Sequence, residues 1–313
     1  YKDDCHRIIY QPYVSYIKEC IERNEDPLSF EEAGIREKIF FNPTNTQAAI
    51  VTCGGLCPGI NDVIRAITMT SIYQYKCKKV WGIRYGFQGL ISKYGHLPID
   101  LTPEKVNTIH ELGGTILSSS RGPQDVSEMV DTLVGMGINI LYCIGGDGTQ
   151  RGAFEIYQEI EKRKLKIAVV GIPKTIDNDI SYISKTFGFE TAFSRAVEAI
   201  SAAHVEAVGN PNGIGLVKLM GRHSGYITAS AALGLPEVNF VLVPEKPFDL
   251  YGEKGFLTAL ESRMINRGHA LIVVAEGAGQ TLLETHSKDE KDASGNIKLK
   301  DIGLFLKDVI IDY

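Results

Sequence analysis

Short apolar runs alternate with longer stretches whose apolar positions recur every three or four residues, from Gln47 almost to the end of the chain. Ala48–Thr52, Lys79–Ile83, Ile138–Ile144 and Ile167–Ile172 predict strands, and Asn61–Ile72 and Gln150–Arg163 predict amphipathic helices between them. The pattern restarts after Asp179. Thr191–Ala207, Ser224–Leu233 and Leu257–Arg267 predict helices, and Ile214–Leu219, Val238–Val243 and Ala270–Ala275 predict strands. Strands that are apolar on both faces and alternate with helices imply parallel sheets covered on both sides. The fold class expected is therefore α/β: two Rossmann-like three-layer α/β/α domains with mainly parallel sheets.

The stretch before Gln47 differs. Val14, Ile17, Cys20 and Ile21 stand at helical spacing, so a short helix is expected near Pro12–Arg23. Asn24 to Asn45 mixes acids with Pro27 and Pro43 and predicts an extension that wraps the core or a partner subunit, with no evident chemistry. At the other end, Thr285–Gly295 is polar and charged and predicts a solvated loop. Ile302–Ile311 predicts a last helix with no cap after it, which suggests that sequence continues past Tyr313. The domain organisation expected is a 1–46 extension, a first α/β domain over 47–187, a second over 188–284, and 285–313 as a charged loop and the start of a C-terminal segment.

Composition narrows the function. The 313 residues carry 33 Lys+Arg against 38 Asp+Glu, a net charge of −5, which disfavours a general nucleic-acid binder. No apolar run reaches the roughly 18–20 residues needed to cross a bilayer, so no membrane association is expected. Tyr1-Lys2-Asp3-Asp4 lacks the apolar core of a signal peptide. The six cysteines form no CxxC pair, which predicts a reducing, cytoplasmic compartment. Cys53 and Cys57 have no neighbouring Cys or His to complete a zinc set.

The glycine-rich and polar stretches fall where the predicted strands end, and ligands of open parallel sheets bind beyond carboxyl ends of strands. Gly54-Gly55-Leu56-Cys57-Pro58-Gly59 serves either as a tight strand-to-helix turn or as a loop whose amides face phosphate. Gly114 to Gly122 places three serines before Arg121 at a strand-to-loop change. It is either a serine-rich turn or a clamp in which the guanidinium fork holds phosphate oxygens. Gly145-Gly146-Asp147-Gly148-Thr149 fixes a carboxylate between glycines, as a Mg²⁺ that bridges phosphates requires; the alternative is an ordinary glycine turn.

Pro173-Lys174-Thr175-Ile176-Asp177-Asn178-Asp179 gathers an ammonium, a hydroxyl, an amide and two carboxylates directly after an apolar strand. Phosphoryl transfer needs a group to take the attacking hydroxyl's proton and cations to hold the transferring charge, which Asp177 and Lys174 can supply. The alternative is a capping and turn sequence. Lys218 to Gly225, with Glu276 after Ala270–Ala275, would face the first unit across a cleft and could take an anionic second substrate, although each piece alone reads as structural. His204 and His223 receive no role.

The ordered set GGLCPGIND, GGTILSSSRG, GGDGT, PKTIDND, FGFETA and KLMGRHSG resembles the 6-phosphofructokinase family over roughly Gln47 to Glu276. The GGDGT piece alone also occurs in NAD kinases and diacylglycerol kinases. The resemblance implies transfer of the γ-phosphoryl group of ATP, with Mg²⁺, to the 1-hydroxyl of fructose 6-phosphate, a step of glycolysis. It further implies Asp177 as general base with Lys174 and Thr175 beside the transferring group. Asp147 would hold Mg²⁺. Gly54, Arg121, Gly146, Gly148 and Thr149 would line the donor. Thr175, Asp177, Met220, Gly221, Arg222 and Glu276 would hold the sugar phosphate.

Gly148 resembles the ATP-using members, because pyrophosphate users carry Asp there; Lys174 points the other way. The long ATP-dependent forms of plants and trypanosomatids combine both, and the chain is most similar to these, which implies ATP. The alternatives are a pyrophosphate-dependent enzyme, a lipid or NAD kinase, and a regulatory subunit without catalysis. A homo-oligomer, tetramer or dimer, is implied as well. The sequence departs from the short bacterial pattern at Asn212-Gly213-Ile214, where those enzymes carry an Arg for the sugar phosphate. The later His and Arg residues for the 6-phosphate are not found before Tyr313.

Overall fold

The computed structural model describes residues 1–283 and 298–313. In chain order the elements are β1 (Arg7–Ile9), α1 (Val14–Glu22), β2 (Ser29–Glu31), β3 (Gln47–Thr52), α2 (Ile60–Met69), β4 (Lys79–Ile83), β5 (Ile99–Asp100), α3 (Pro103–Val106), α4 (Val126–Gly135), β6 (Ile140–Gly145), α5 (Asp147–Lys162) and β7 (Ala168–Pro173). There follow α6 (Phe189–Gly209), β8 (Ile214–Leu219), α7 (Tyr226–Leu233), β9 (Phe240–Leu242), α8 (Phe256–Arg267), β10 (Ala270–Ala275) and α9 (Ile302–Asp312).

Two sheets organise these elements. The first has the order β5-β4-β3-β6-β7 and is parallel apart from the short antiparallel edge pair β4–β5. Side-chain alternation along its strands feeds two cores. Ala49, Val51, Leu141 and Cys143 face one side and pack with Met129 and Leu133 of α4 and Ile156 and Ile160 of α5. Ala48 and Ile50 face the other side and pack with Ile60 and Ile64 of α2, Val106 of α3 and Leu117.

The second sheet, β8-β10-β9, is wholly parallel. Its central strand Ala270–Ala275 is completely buried. Leu271 and Val273 meet Ala196 and Ile200 of α6 and Ala231 of α7. Ala270, Ile272 and Val274 meet Leu257 and Leu260 of α8 and Ile302 and Leu306 of α9. Each sheet is thus a middle layer with helices on both faces, which is the α/β architecture the periodicity predicts. Asp301 caps α9 by accepting from the Gly303 and Leu304 amides, and Lys218 Nζ of β8 bonds it at 2.6 Å. The Lys218 bond is the first cause of the lowered Asp301 carboxyl.

Three features differ from the sequence expectation. The extension carries an antiparallel hairpin, β1 with β2, as well as the expected helix. No strand precedes Ser118–Arg121. Thr115 to Ser118 is instead an irregular turn, held because the Thr52 hydroxyl donates to Ser118 O at 2.7 Å and the Ile116 amide donates to Asn61 Oδ1 at 3.0 Å. Helix α5 begins at Asp147, three residues earlier than predicted, so the acidic residue of the glycine motif lies inside the first helical turn. The expected solvated loop Thr285–Gly295 lies outside the described residues.

Candidate active site

Strands β3, β6 and β7 lie side by side in parallel, with Thr52 opposite Ile144 and Gly145 opposite Pro173. The loops that leave their carboxyl ends are therefore neighbours, and hydrogen bonds tie them together. The Lys174 amide donates to Gly145 O at 2.9 Å, and Lys174 Nζ donates to Gly55 O at 2.5 Å. The Gly54 amide donates to Ser120 O at 3.1 Å, and the Ser119 hydroxyl returns a bond to Gly54 O at 2.7 Å. A Cβ on Gly55 would stand 3.6 Å from the Arg121 guanidinium, and one on Gly54 3.6 Å from Lys174 Nζ. The structure thus brings Gly54, Arg121, Gly146 and Lys174 to one place from four separate motifs.

Glycine has two distinct uses here. Gly54 has φ +82°, a left-handed backbone that side chains strain to adopt. Gly148 needs no such freedom; a Cβ added there would meet nothing within 4 Å. The space beside it is open. The first-turn amides of α5 have no intrahelical acceptor and add the positive end of the helix dipole, which suits phosphate. Asp147 and Gly148 are exposed in that turn, whereas Thr149 is buried beneath it.

Lys174 is buried, and that burial, ahead of the nearby Arg121 charge, lowers its pKa. The following residues form a loop closed at its base. Thr186 Oγ1 donates to Thr175 O at 2.6 Å, the Thr186 amide donates to Asn178 Oδ1 at 2.8 Å, and Asn178 Nδ2 donates to Ser184 O at 3.2 Å. Thr175 Oγ1 donates to Asp179 Oδ1 at 2.5 Å and accepts from the Asp177 amide at 3.2 Å.

Asp177 stands where the two units meet. Its carbonyl accepts from the Ser224 hydroxyl at 3.0 Å, and its carboxylate accepts from the Arg222 backbone amide. Oδ1 is buried with no hydrogen-bond partner among the described residues. Burial first, then the Asp179 charge, pushes the carboxyl pKa up to about 6, with Glu276 adding to the rise and the Arg222 charge opposing it. Glu276 is brought there as its amide donates to Leu219 O at 2.9 Å. The Gly277 amide similarly donates to Gly221 O at 3.0 Å. Gly221 has φ +129°, and a Cβ on Gly277 would fall 1.8 Å from Arg222 O, so this junction accepts glycine alone. Met220 directly follows strand β8 and is half exposed.

The family profile described as Phosphofructokinase matches residues 47–309, which takes in both sheets and every loop above. The chain belongs to the phosphofructokinase family. It is 51% identical over 309 residues to an ATP-dependent 6-phosphofructokinase of Borreliella burgdorferi, covering 95% of this chain and 69% of that protein. It is 52% identical to ATP-dependent 6-phosphofructokinase 7 of Arabidopsis thaliana, covering 91% and 58%, and 51% identical to the Trypanosoma brucei brucei ATP-dependent 6-phosphofructokinase, covering 91% and 57%. The chain thus spans little more than half the length of the last two. Among solved structures, Pichia pastoris phosphofructokinase in the T-state superposes with a TM-score of 0.69 at 25% identity, covering 85% of this chain and 28% of that one. A pyrophosphate-dependent phosphofructokinase from Nitrosospira multiformis gives 0.68 at 19% identity, over 86% and 66%, and shares the fold.

Three residues of this candidate site have no assigned role in the sequence reading. Asn178 holds the loop base with φ +56°, Asp179 orients the Thr175 hydroxyl, and Ser224 reaches across from the second unit. Asn178 and Asp179 carry a weak signal in their place within PKTIDND. Ser224 carries none, because its partner lies 47 residues away.

Proposed function

We propose that the chain carries the phosphoryl-transfer site of an ATP-dependent 6-phosphofructokinase, with fructose 6-phosphate as acceptor. The observation that supports it most is Asp177: a carboxylate with a buried, unpartnered oxygen, raised towards neutrality, at the junction of the glycine loops and the Arg222–Glu276 edge. A base with that pKa takes a hydroxyl proton better than an ordinary aspartate does. The sugar 1-hydroxyl would give its proton to Asp177 as its oxygen bonds to the γ-phosphorus and the β–γ bridging P–O bond breaks, releasing ADP.

Lys174, Arg121 and the α5 amides would carry the donor's phosphate charge, with Gly54, Gly146, Gly148 and Thr149 shaping its bed. Thr175 would sit beside the transferring group. Met220, Gly221, Arg222 and Glu276 would hold the sugar phosphate. Asp147 fits a Mg²⁺ that arrives on the nucleotide. It is a single exposed carboxylate, and no cluster of three His, Cys, Asp or Glu able to hold a metal occurs among the described residues. Asp147 would hold such an ion, which would supply charge that neutralises the donor's phosphates.

ATP is favoured over pyrophosphate by the open space at Gly148 and by the similarity to ATP-dependent 6-phosphofructokinases. The deciding experiment is initial rates with fructose 6-phosphate and either donor on the whole protein, with NAD and diacylglycerol as alternative acceptors. ATP-dependent formation of fructose 1,6-bisphosphate is expected; turnover with pyrophosphate alone would overturn the donor assignment. The same reading carries a cytoplasmic setting, supported by six free cysteines, and a homo-oligomer, supported by the family resemblance alone. No helix among the described residues is long and apolar enough to cross a membrane.

A further inference from the structure

The N-terminal hairpin belongs to none of the buried cores and meets the loop of the candidate site instead. Ile8 pairs with Phe30 across β1 and β2, and the Tyr10 amide donates to Leu28 O at 2.9 Å. Two rings leave this hairpin and meet a third. Tyr10 lies 5.3 Å from Tyr182 at 78°, Phe30 lies 6.0 Å from Tyr182 at 60°, and Tyr10 and Phe30 are 6.1 Å apart at 84°. The two Tyr10 pairs are edge-on, one of the arrangements aromatic rings favour, and the Phe30–Tyr182 pair is tilted. Tyr182 stands in the loop that carries Asp177.

That loop is strained at two places. Asn178 has φ +56° and Tyr182 has φ +68°. The first is common for asparagine; the second is uncommon for a bulky aromatic and persists only where surrounding contacts hold it. Hydrogen bonds from Asn178 and Thr186 close the loop's base. At its tip the hairpin rings grip Tyr182. Hairpin, loop and Tyr226 line an open pocket of about 640 Å³, so the tip is held by the two hairpin rings and not by a packed core. The rings stay substantially exposed, Tyr10 41%, Phe30 43% and Tyr182 58%.

We infer that the hairpin is a clamp on the loop carrying Asp177, and that Tyr182 is the positioning residue through which it acts. This rests on Asp177 being the general base. With the clamp gone, Tyr182 relaxes out of its strained backbone, the loop opens, and water reaches the Asp177 carboxylate. The groups facing that carboxylate are Asp179 on its own loop, Arg222 and Glu276 from the second unit, and Cys57 from the first glycine loop. None of them belongs to the hairpin, so removing hairpin rings alters solvation and position without deleting a charge.

The test uses the full protein carrying Tyr10→Ala with Phe30→Ala, which leaves the loop sequence intact. Amide exchange over residues 178–184 is expected to accelerate about tenfold, and kcat to fall about tenfold with the KM for ATP little changed. The acid limb of the pH–rate profile should move to lower pH. Tyr182→Ala should give the same triad of effects, and Tyr182→Phe, which keeps the ring, should restore all three. Unchanged exchange at 178–184, or a fall in kcat with the acid limb unmoved, would overturn the clamp. Faster exchange in variants of a chain whose parent phosphorylates no sugar would uphold the clamp and reject the reading of Asp177.

Discussion

Asp177 ties the site's chemistry to its stability, and the two dependences on pH have opposite signs. In the proposed role of base it would work ionised, so kcat/KM should fall as pH drops through about 6, the value to which burial pushes it. Asp177→Ser should cut turnover by about 10²–10⁴-fold with a smaller effect on KM. Steady-state rates would check this, and a near-normal rate would remove the assignment. For stability, the folded pKa of about 6 exceeds the unfolded value of 3.8. Between these values the folded state binds more protons than the unfolded one, so stability falls as pH rises through that window and the cost is complete above it. Asn mimics the protonated form. Asp177→Asn should therefore raise the melting temperature of the unliganded protein by a few degrees at pH 7.5 and hardly at all at pH 4. Equal gains at both would show that the carboxylate's burial is not the cause.

The loops after β3, β6 and β7 show how far single elements can be altered. A Cβ at Gly148 meets open space, whereas one at Gly145 would fall 2.1 Å from the Thr149 hydroxyl oxygen. Gly148→Asp should accordingly fold normally, with a melting temperature within about 2 °C of the parent, yet weaken ATP binding at least tenfold by setting a carboxylate against phosphates. Calorimetry of ATP binding beside a thermal melt separates the two effects, and unchanged affinity would refute the donor argument. The strands were legible wherever burial on both faces left a continuous apolar run. Lys79–Ile83, Ile214–Leu219 and Ala270–Ala275 match the sequence expectation residue for residue. Helix α4 was overlooked, although Asp125 caps it by accepting from the Glu128 amide at 2.8 Å, a start signal present in the sequence. The hairpin was not legible. Arg7–Ile9 is three exposed residues, too short to show alternation. The candidate site was legible as motifs, since glycine loops and clustered charges stand out locally. Ser224 and Tyr182 were not, because each acts through a partner far along the chain.

The two α/β units meet at the loop that each contributes to the Asp177 neighbourhood, so the whole molecule's function depends on a small number of cross-links. Ser224 is buried, donates to Asp177 O at 3.0 Å, and accepts from the Tyr226 amide at 3.3 Å. It joins the start of α7, beside Arg222 and Gly221, to the loop after β7. A neutral hydrogen bond of this kind contributes about 0.5–1.5 kcal/mol net. Losing it in Ser224→Ala should therefore do little to the fold, whose cores lie on the sheets and away from the cleft. Its effect should fall on registration of the second unit against the first. The loops proposed to hold the donor all belong to β3, β6 and β7 and the Ser118–Arg121 turn, so ATP binding should stay within about twofold of the parent. In the proposed site the second unit would hold the acceptor while its hydroxyl meets Asp177 from the first, so KM for fructose 6-phosphate should rise about five- to tenfold, matching a bond of that strength. Parallel titrations of both substrates would show the split. An equal loss for donor and acceptor would mean that Ser224 supports the fold in general, and no loss for either would mean that the units are aligned by other contacts.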